Sequence, residues 1–307
     1  MCCLFGFYNY SGKSIKNLSN LTNSLACQAI VRGTDASGIA YNENNRLIIH
    51  KESRSADKID FKHPDSVVSV LGHTRHSTQG SHKKNYNNHP FSGKCKNLRF
   101  ALAHNGVLVN DDKLQREYKL PKTKVETDSY VAVQLLEKKR YLDSNSLKFM
   151  AEKVRGSFSF SVLDSSDTLW LVKGDSPLSI VHFPKHKLYV YASTDEILYK
   201  ALVDTSLFAE VKKGNFEEIA IHEGDILNIL NDGTIVYDKF HYTDYSGYGY
   251  CHWWDYGIER KPNIPNSYIE DLKMIAAYQG FSADEIDELL SCGLTPEEIE
   301  DYIYCME

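Results

Sequence analysis

The sequence has no apolar run near the roughly 20 residues that cross a bilayer, and its first residues show no basic-then-apolar signal pattern. The expectation is therefore a cytoplasmic protein that does not enter a membrane. There is no CxxC pair either. The seven cysteines, Cys2, Cys3, Cys27, Cys95, Cys251, Cys292 and Cys305, are odd in number and irregularly spaced, which excludes a disulfide framework or a structural zinc site. No basic stripe is concentrated anywhere, so a nucleic-acid partner is not expected. No Walker-type loop is present. Five histidines (His73, His76, His82, His89 and His104) crowd one span, but none has the HExxH spacing. Neither a metal nor a cofactor is expected.

With 42% hydrophobic residues in 307, the chain can bury a sizeable core. Its charge is uneven. From His241 to Glu307 there are 14 acidic and 3 basic residues, against 27 acidic and 32 basic before. A nearly neutral body thus carries an acidic tail, and the pattern predicts three parts: a main domain over 1–240, an aromatic, Gly- and Pro-containing linker over 241–262, and acidic helices over 263–307.

Within the body, CCLFGFY (2–8) reads as a buried strand, followed by a helical stripe of Leu18, Leu21, Leu25 and Ala29 that ends before Gly33. Strand-like runs follow at SGIAY, RLIIH, VVSVLG and LRFALAH. Helical patterns begin near Thr127 and Asp128 and again around Leu147, and strands return from Ser157 to Tyr237 with one short helix at about Glu196 to Val203. Strands, two helices and more strands predict an α+β layered domain. In the tail, Asn266 can cap a first helix, Ser282 with Glu285 forms a capping box for a second, and Thr295 with Glu298 forms one for a third. The segments GFSADEIDELL and GLTPEEIEDYI resemble each other at an offset of 13. Capping the body and docking a partner are both open to this small module.

Four segments carry chemistry. Removal of Met1 would leave a free α-amine and a thiol on Cys2. An amine with a pKa of about 7.7–8 can take the thiol proton without a separate histidine. A cysteine here is equally read as a buried thiol in a first strand. In GHTRHSTQG (72–80), right after an apolar strand, Arg75 can hold a carboxylate bidentately or form a surface ion pair. In LAHNG (102–106), Asn105 and Gly106 are either a hairpin turn or two donors aimed at an oxyanion. In TDS (127–129), Asp128 either caps a helix or binds a substrate ammonium.

Taken in order, MCCLFG, RGTDASGIA (32–40), GHTRHSTQG, NNHPF (87–91), LAHNGVLVN (102–110), TDSYV (127–131) and RGSFSFSVLD (155–164) resemble class II glutamine amidotransferase domains. GDSPL (174–178) and YASTDEIL (191–198) continue the likeness, which covers about residues 2–235. The resemblance implies the four-layer αββα sandwich of N-terminal-nucleophile (Ntn) hydrolases, here with a small C-terminal helical module. It implies Cys2 as nucleophile, with Asn105 and Gly106 as the oxyanion hole. Arg75, Thr78, His104 and Asp128 would bind substrate. Arg32, Gly33 and Asp35 would hold the N-terminal strand and its loop from behind. Three positions depart from the pattern: Cys3 stands where a small residue is usual, His76 where an aromatic is usual, and Gln79 where one relative has His.

The function these features imply is release of ammonia from L-glutamine through a Cys2 thioester. Family members usually pass that ammonia to a fused synthase domain, for which the roughly 70 residues after the hydrolase domain leave too little room. The acceptor is therefore absent, small or on another chain, and the leading expectation is a synthase on another chain, docked through the tail or the aromatic hinge. Two alternatives stand beside this: hydrolysis of another γ-glutamyl or linear amide, and a non-catalytic binding protein on the same fold.

Overall fold

The computed structural model describes residues 2–96 and 98–242, positions 269, 273, 276 and 299, and residues 281–291. The chain divides into two units, Met1–Tyr248 and Gly249–Glu307. In the first unit, β1 (Cys3–Asn9), β2 (Ala36–Glu43), β3 (Arg46–Glu52), β4 (Ser69–Arg75), β9 (Ser179–Phe183), β10 (Leu188–Ala192) and β11 (Glu217–Glu218) form one antiparallel sheet, ordered β11-β9-β10-β1-β4-β2-β3. The second sheet contains β5 (Phe91–Cys95), β6 (Leu98–Leu108), β7 (Gly156–Asp164), β8 (Leu169–Lys173), β12 (Asp225–Ile229) and β13 (Ile235–Lys239), ordered β13-β12-β8-β7-β6-β5.

The layering follows from the two-residue period of the strands. In β1, Cys3, Phe5 and Phe7 point to one face and pack with Leu21 and Leu25 of α1 (Leu18–Gln28) and Ile197 and Leu198 of α5 (Asp195–Val203). Leu4 and Tyr8 point the other way, into a core between the sheets that includes Ala101 and Ala103 of β6 and Leu171 of β8. The alternate residues of β6, Phe100 and Leu102, pack outward against α3 (Tyr130–Lys139) and α4 (Ser144–Lys153). The result is helix, sheet, sheet, helix, the predicted αββα sandwich. Each fully buried Phe or Leu in these layers contributes about 1.5–3 kcal/mol. Gly6 is required at the centre of β1, because a Cβ there would lie 2.0 Å from the Val70 carbonyl. Two further short helices, α2 (Asp111–Glu117) and α6 (Phe208–Lys212), lie in connections.

α1 follows the apolar stripe and gives way at Ala29 to a 3-10 turn that ends at Arg32. The Asn105–Gly106 pair is not a hairpin turn: it lies inside β6, with Asn105 opposite Ser159 and Gly106 opposite Phe158 of β7. Asp128 does not cap α3 either. The N-cap position of that helix is Ser129, which makes no side-chain capping bond, and the Asp128 carboxylate is engaged elsewhere. Among the described residues no helix is long and apolar enough to cross a membrane.

In the second unit a helix spans Ala283–Ser291. Its capping box forms as the sequence predicts, with the Ser282 N–H donating to Glu285 Oε2 (2.7 Å) and the Glu285 N–H donating to Ser282 Oγ (3.3 Å). Ile286 is buried with Ala276 and Ile299. The caps expected at Asn266 and Thr295, and residues 243–262 of the linker, lie outside the described residues.

Candidate active site

One end of the sandwich gathers the chemistry-bearing segments. The register of β1 on β4 sets Cys3 opposite Thr74, so Cys2 falls at the level of Arg75 and His76. The half-buried Cys2 thiol points at the His76 carbonyl, with Sγ 3.5 Å away. The residues behind it pin this end of the strand. Arg32 Nε donates to the Cys2 carbonyl at 2.8 Å, and Thr74 Oγ1 donates to the Ala29 carbonyl at 2.9 Å. The Asp35 N–H donates to the Arg75 carbonyl, while its carboxylate accepts from the Ser77 N–H at 2.7 Å. Burial raises the Asp35 carboxyl pKa, but the bonds to Ser77 outweigh that and hold it below the usual range. Gly33 is required by close approach, since a Cβ would meet the Arg75 carbonyl carbon at 2.5 Å.

Arg75 is 3% exposed and makes no surface ion pair. Its Nη1 donates to Asn88 Oδ1 at 2.7 Å, and its Nη2 donates to the carbonyls of Gln79 (2.6 Å) and Gly80 (2.8 Å). Burial pulls its pKa down, and Cys2, Asp35 and Asp128, all within electrostatic reach, pull it back up. Thr78 lies exposed in the loop that Arg75 holds.

From the second sheet, Asn105 reaches across the sandwich: its Nδ2 donates to Ser193 Oγ at 3.3 Å, and the same oxygen accepts the Leu4 N–H of β1 at 2.8 Å. Ser193 thus ties Asn105 to the strand that carries Cys2. Gly106 has φ +138°, and a Cβ there would lie 2.0 Å from the Ser157 carbonyl, so only glycine fits. Asp128 Oδ2 accepts the Leu108 N–H at 2.6 Å, which anchors the end of β6 to the start of α3.

His104 is placed differently from a group that faces substrate. It is buried and stacked on Phe160 at 4.7 Å. Its Nδ1 lies 2.8 Å from Ser129 Oγ, which also lies 3.2 Å from Asp128 Oδ1, and its Nε2 lies 3.3 Å from the Ser157 carbonyl. Both ring nitrogens are therefore taken up by protein. His73, His89 and His104 form a buried group, with His73 and His89 rings 4.2 Å apart. Burial holds the His73 pKa down to about 3 and drives that of His89 well below its usual value. Among the described residues no group of three or more His, Cys, Asp or Glu is placed to hold a metal ion.

Burial raises the Cys2 thiol pKa, against the backbone of His76 and the charge of Arg75, while the negative charge of Asp128 adds to the rise. Sequence reasoning gave no role to Ser193 or Asn88. Both lie in quoted motifs, YASTDEIL and NNHPF, yet their partners are 189 and 13 positions away in sequence, respectively.

The chain resembles known proteins in sequence and in fold. Residues 73–200 match the family model of a glutamine amidotransferase domain. The chain is 26% identical to the glutamine–fructose-6-phosphate aminotransferase (isomerizing) of Fusobacterium nucleatum, over 95% of this chain and 50% of that protein. It is 30% identical to the Staphylococcus aureus enzyme of the same name, over 77% of this chain and 38% of that one. Among solved structures it superposes on the glutamine phosphoribosylpyrophosphate amidotransferase of B. subtilis with a TM-score of 0.58 at 21% identity, covering 79% of this chain and 50% of that one. An allosteric regulatory enzyme of purine biosynthesis gives a TM-score of 0.61 at 20% identity and the same coverage. These superpositions show the fold. The chain carries a glutamine amidotransferase domain of class II, the N-terminal-nucleophile type, a family of enzymes. It spans half or less of the length of the curated relatives it matches.

Proposed function

We propose that the chain releases ammonia from glutamine, with Cys2 as nucleophile and its own α-amine, freed by removal of Met1, as base. The Cys2 sulfur bonds to the side-chain amide carbon as the amine takes the thiol proton. The carbonyl π pair moves onto oxygen, where Asn105 and the Gly106 N–H stabilise it. Collapse breaks the C–N bond, the amine returns its proton to the leaving nitrogen, and ammonia departs. Water, giving a proton to the same amine, then attacks the γ-glutamyl thioester, yields glutamate and restores the thiol. Arg75 would grip the α-carboxylate, assisted by the backbone near Thr78, and Asp128 the α-ammonium. His104 would act from behind, through Ser129 on Asp128.

The observation that carries this reading is the convergence of Cys2, Arg75 and Asp128 within mutual electrostatic reach, beside an Asn105 bonded through Ser193 to the nucleophile's strand. Cys2, Cys3, Cys27 and Cys95 are free thiols, which suits a reducing compartment such as the cytoplasm. Ammonia would pass to an acceptor enzyme in trans, with the acidic tail as the docking element. Glutamate release from glutamine by the chain and by Cys2→Ala tests the chemistry, and intact mass tests Met1 removal. Unchanged glutamate release by the variant overturns the assignment. A glutaminase rate unaffected by every co-purifying protein overturns delivery in trans.

A further inference from the structure

We infer that Asn88 sets how tightly the site holds the substrate α-carboxylate, acting as a positioning residue through Arg75; this rests on the carboxylate-gripping reading of Arg75 given above. A guanidinium on a long side chain loses affinity for an anion if it is free to swing, so whatever orients it becomes part of the specificity. Two of its three protein partners are backbone carbonyls, those of Gln79 and Gly80. Gln79 belongs to the same exposed loop as Thr78. The third partner is different in kind. Asn88 is fully buried and is itself held from several sides. Its Nδ2 donates to the His82 carbonyl at 2.8 Å and lies near Asn85 Oδ1 (3.1 Å) and Ser53 Oγ (3.2 Å). Its backbone carbonyl accepts from Lys51 Nζ, which also donates to the Pro90 carbonyl at 3.0 Å. Because arginine offers donors alone, the amide oxygen must be the atom that faces Nη1.

The amide is also neutral, and that decides the electrostatics. Asp35 and Asp128 already stand near Arg75, and Lys51 is a positive charge within reach of it. A neutral acceptor fixes the guanidinium without cancelling its charge, whereas a carboxylate at position 88 would compete with the substrate carboxylate for the same cation.

The test compares L-glutamine with 4-aminobutanamide, which keeps the amide and the ammonium but has no carboxylate. The chain, Asn88→Ala, Asn88→Asp and Arg75→Ala are assayed for the glutamine KM and kcat and for the inhibition constant of 4-aminobutanamide against glutamine. Loss of an oriented charge-assisted bond predicts a glutamine KM raised about 10-fold or more in both Asn88 variants, more in Asn88→Asp, with kcat falling far less. The 4-aminobutanamide constant stays within about twofold. Ratios taken on one preparation do not depend on the fraction that is folded. Equal weakening of both ligands in the Asn88 variants, no change in either, or failure of both variants to fold would make Asn88 a structural residue and overturn the inference. If Arg75→Ala itself weakens both ligands equally, the carboxylate reading of Arg75 is what fails. If Arg75→Ala discriminates and the Asn88 variants do not, the inference about Asn88 fails alone.

Discussion

Asn105 and Gly106 occupy neighbouring positions in β6 but are constrained by unlike means. Asn105 is oriented by a hydrogen bond across the sandwich to Ser193, so its amide is held in place. Asn105→Ala should lower kcat by about 10²–10³ while changing the glutamine KM little, the pattern for a donor used mainly in the transition state. A KM change that accounts for the whole loss would refute the oxyanion role. Gly106 is constrained by space and backbone conformation, with the Ser157 carbonyl where a side chain would begin. Gly106→Ala should destabilise the fold by more than about 2 kcal/mol, read as a lower urea midpoint. An unchanged midpoint would show that β6 and β7 can separate there at no cost.

At the scale of elements, β4, β6 and the 87–91 segment meet through three imidazoles. His73 Nε2 donates to the His104 carbonyl at 2.9 Å, while His73 Nδ1 and both nitrogens of His89 are buried without a hydrogen-bond partner. In the unfolded chain these groups take a proton near pH 6.5, whereas in the fold burial keeps His73 neutral down to about 3 and lowers His89 and His104 as well. Between those limits the unfolded state binds more protons, so stability falls as pH falls, by up to about 1.4 kcal/mol per pH unit for each histidine. Urea midpoints from pH 7 to 4 should show this loss, and His89→Phe, whose ring would sit among His73 and Phe91, should flatten it. An acid limb as steep in the variant as in the parent would remove His89 from the account.

The same elements show what the sequence discloses and what it withholds. The apolar runs of β1, β4, β6 and β7 and the Leu18–Leu21–Leu25 stripe were legible because each buries a face whose period survives in the sequence. Asp128 stayed open between two readings because an Asp at a helix start usually caps it; here a backbone N–H from β6, 20 positions earlier, takes the carboxylate instead. Asn105–Gly106 stayed open between two readings because the dipeptide that makes tight turns also supplies a backbone that can approach β7 closely. Asn88 and Ser193 were invisible for a related reason: a neutral amide and a hydroxyl announce nothing until the fold brings their partners to them.

For the whole molecule, the division at Tyr248 separates a nearly neutral sandwich from a strongly acidic remainder. Each has its own apolar cluster, the second built on Ala276, Ile286 and Ile299. A chain ending at Tyr248 should therefore unfold in a single cooperative transition and keep its glutamate release. An insoluble product, or one that melts without cooperativity, would mean that the acidic part is needed to complete the fold.

β1 lies at the middle of its sheet, between β4 and β10, and Leu4 bonds to Ser193, 189 positions further on. During synthesis β1 thus waits for one of its two neighbours. At about 5–20 residues per second, that wait is about 10–40 s. For that interval the segment CLFGFYN has an open edge and apolar side chains without their final cover, and so calls for a chaperone's shelter.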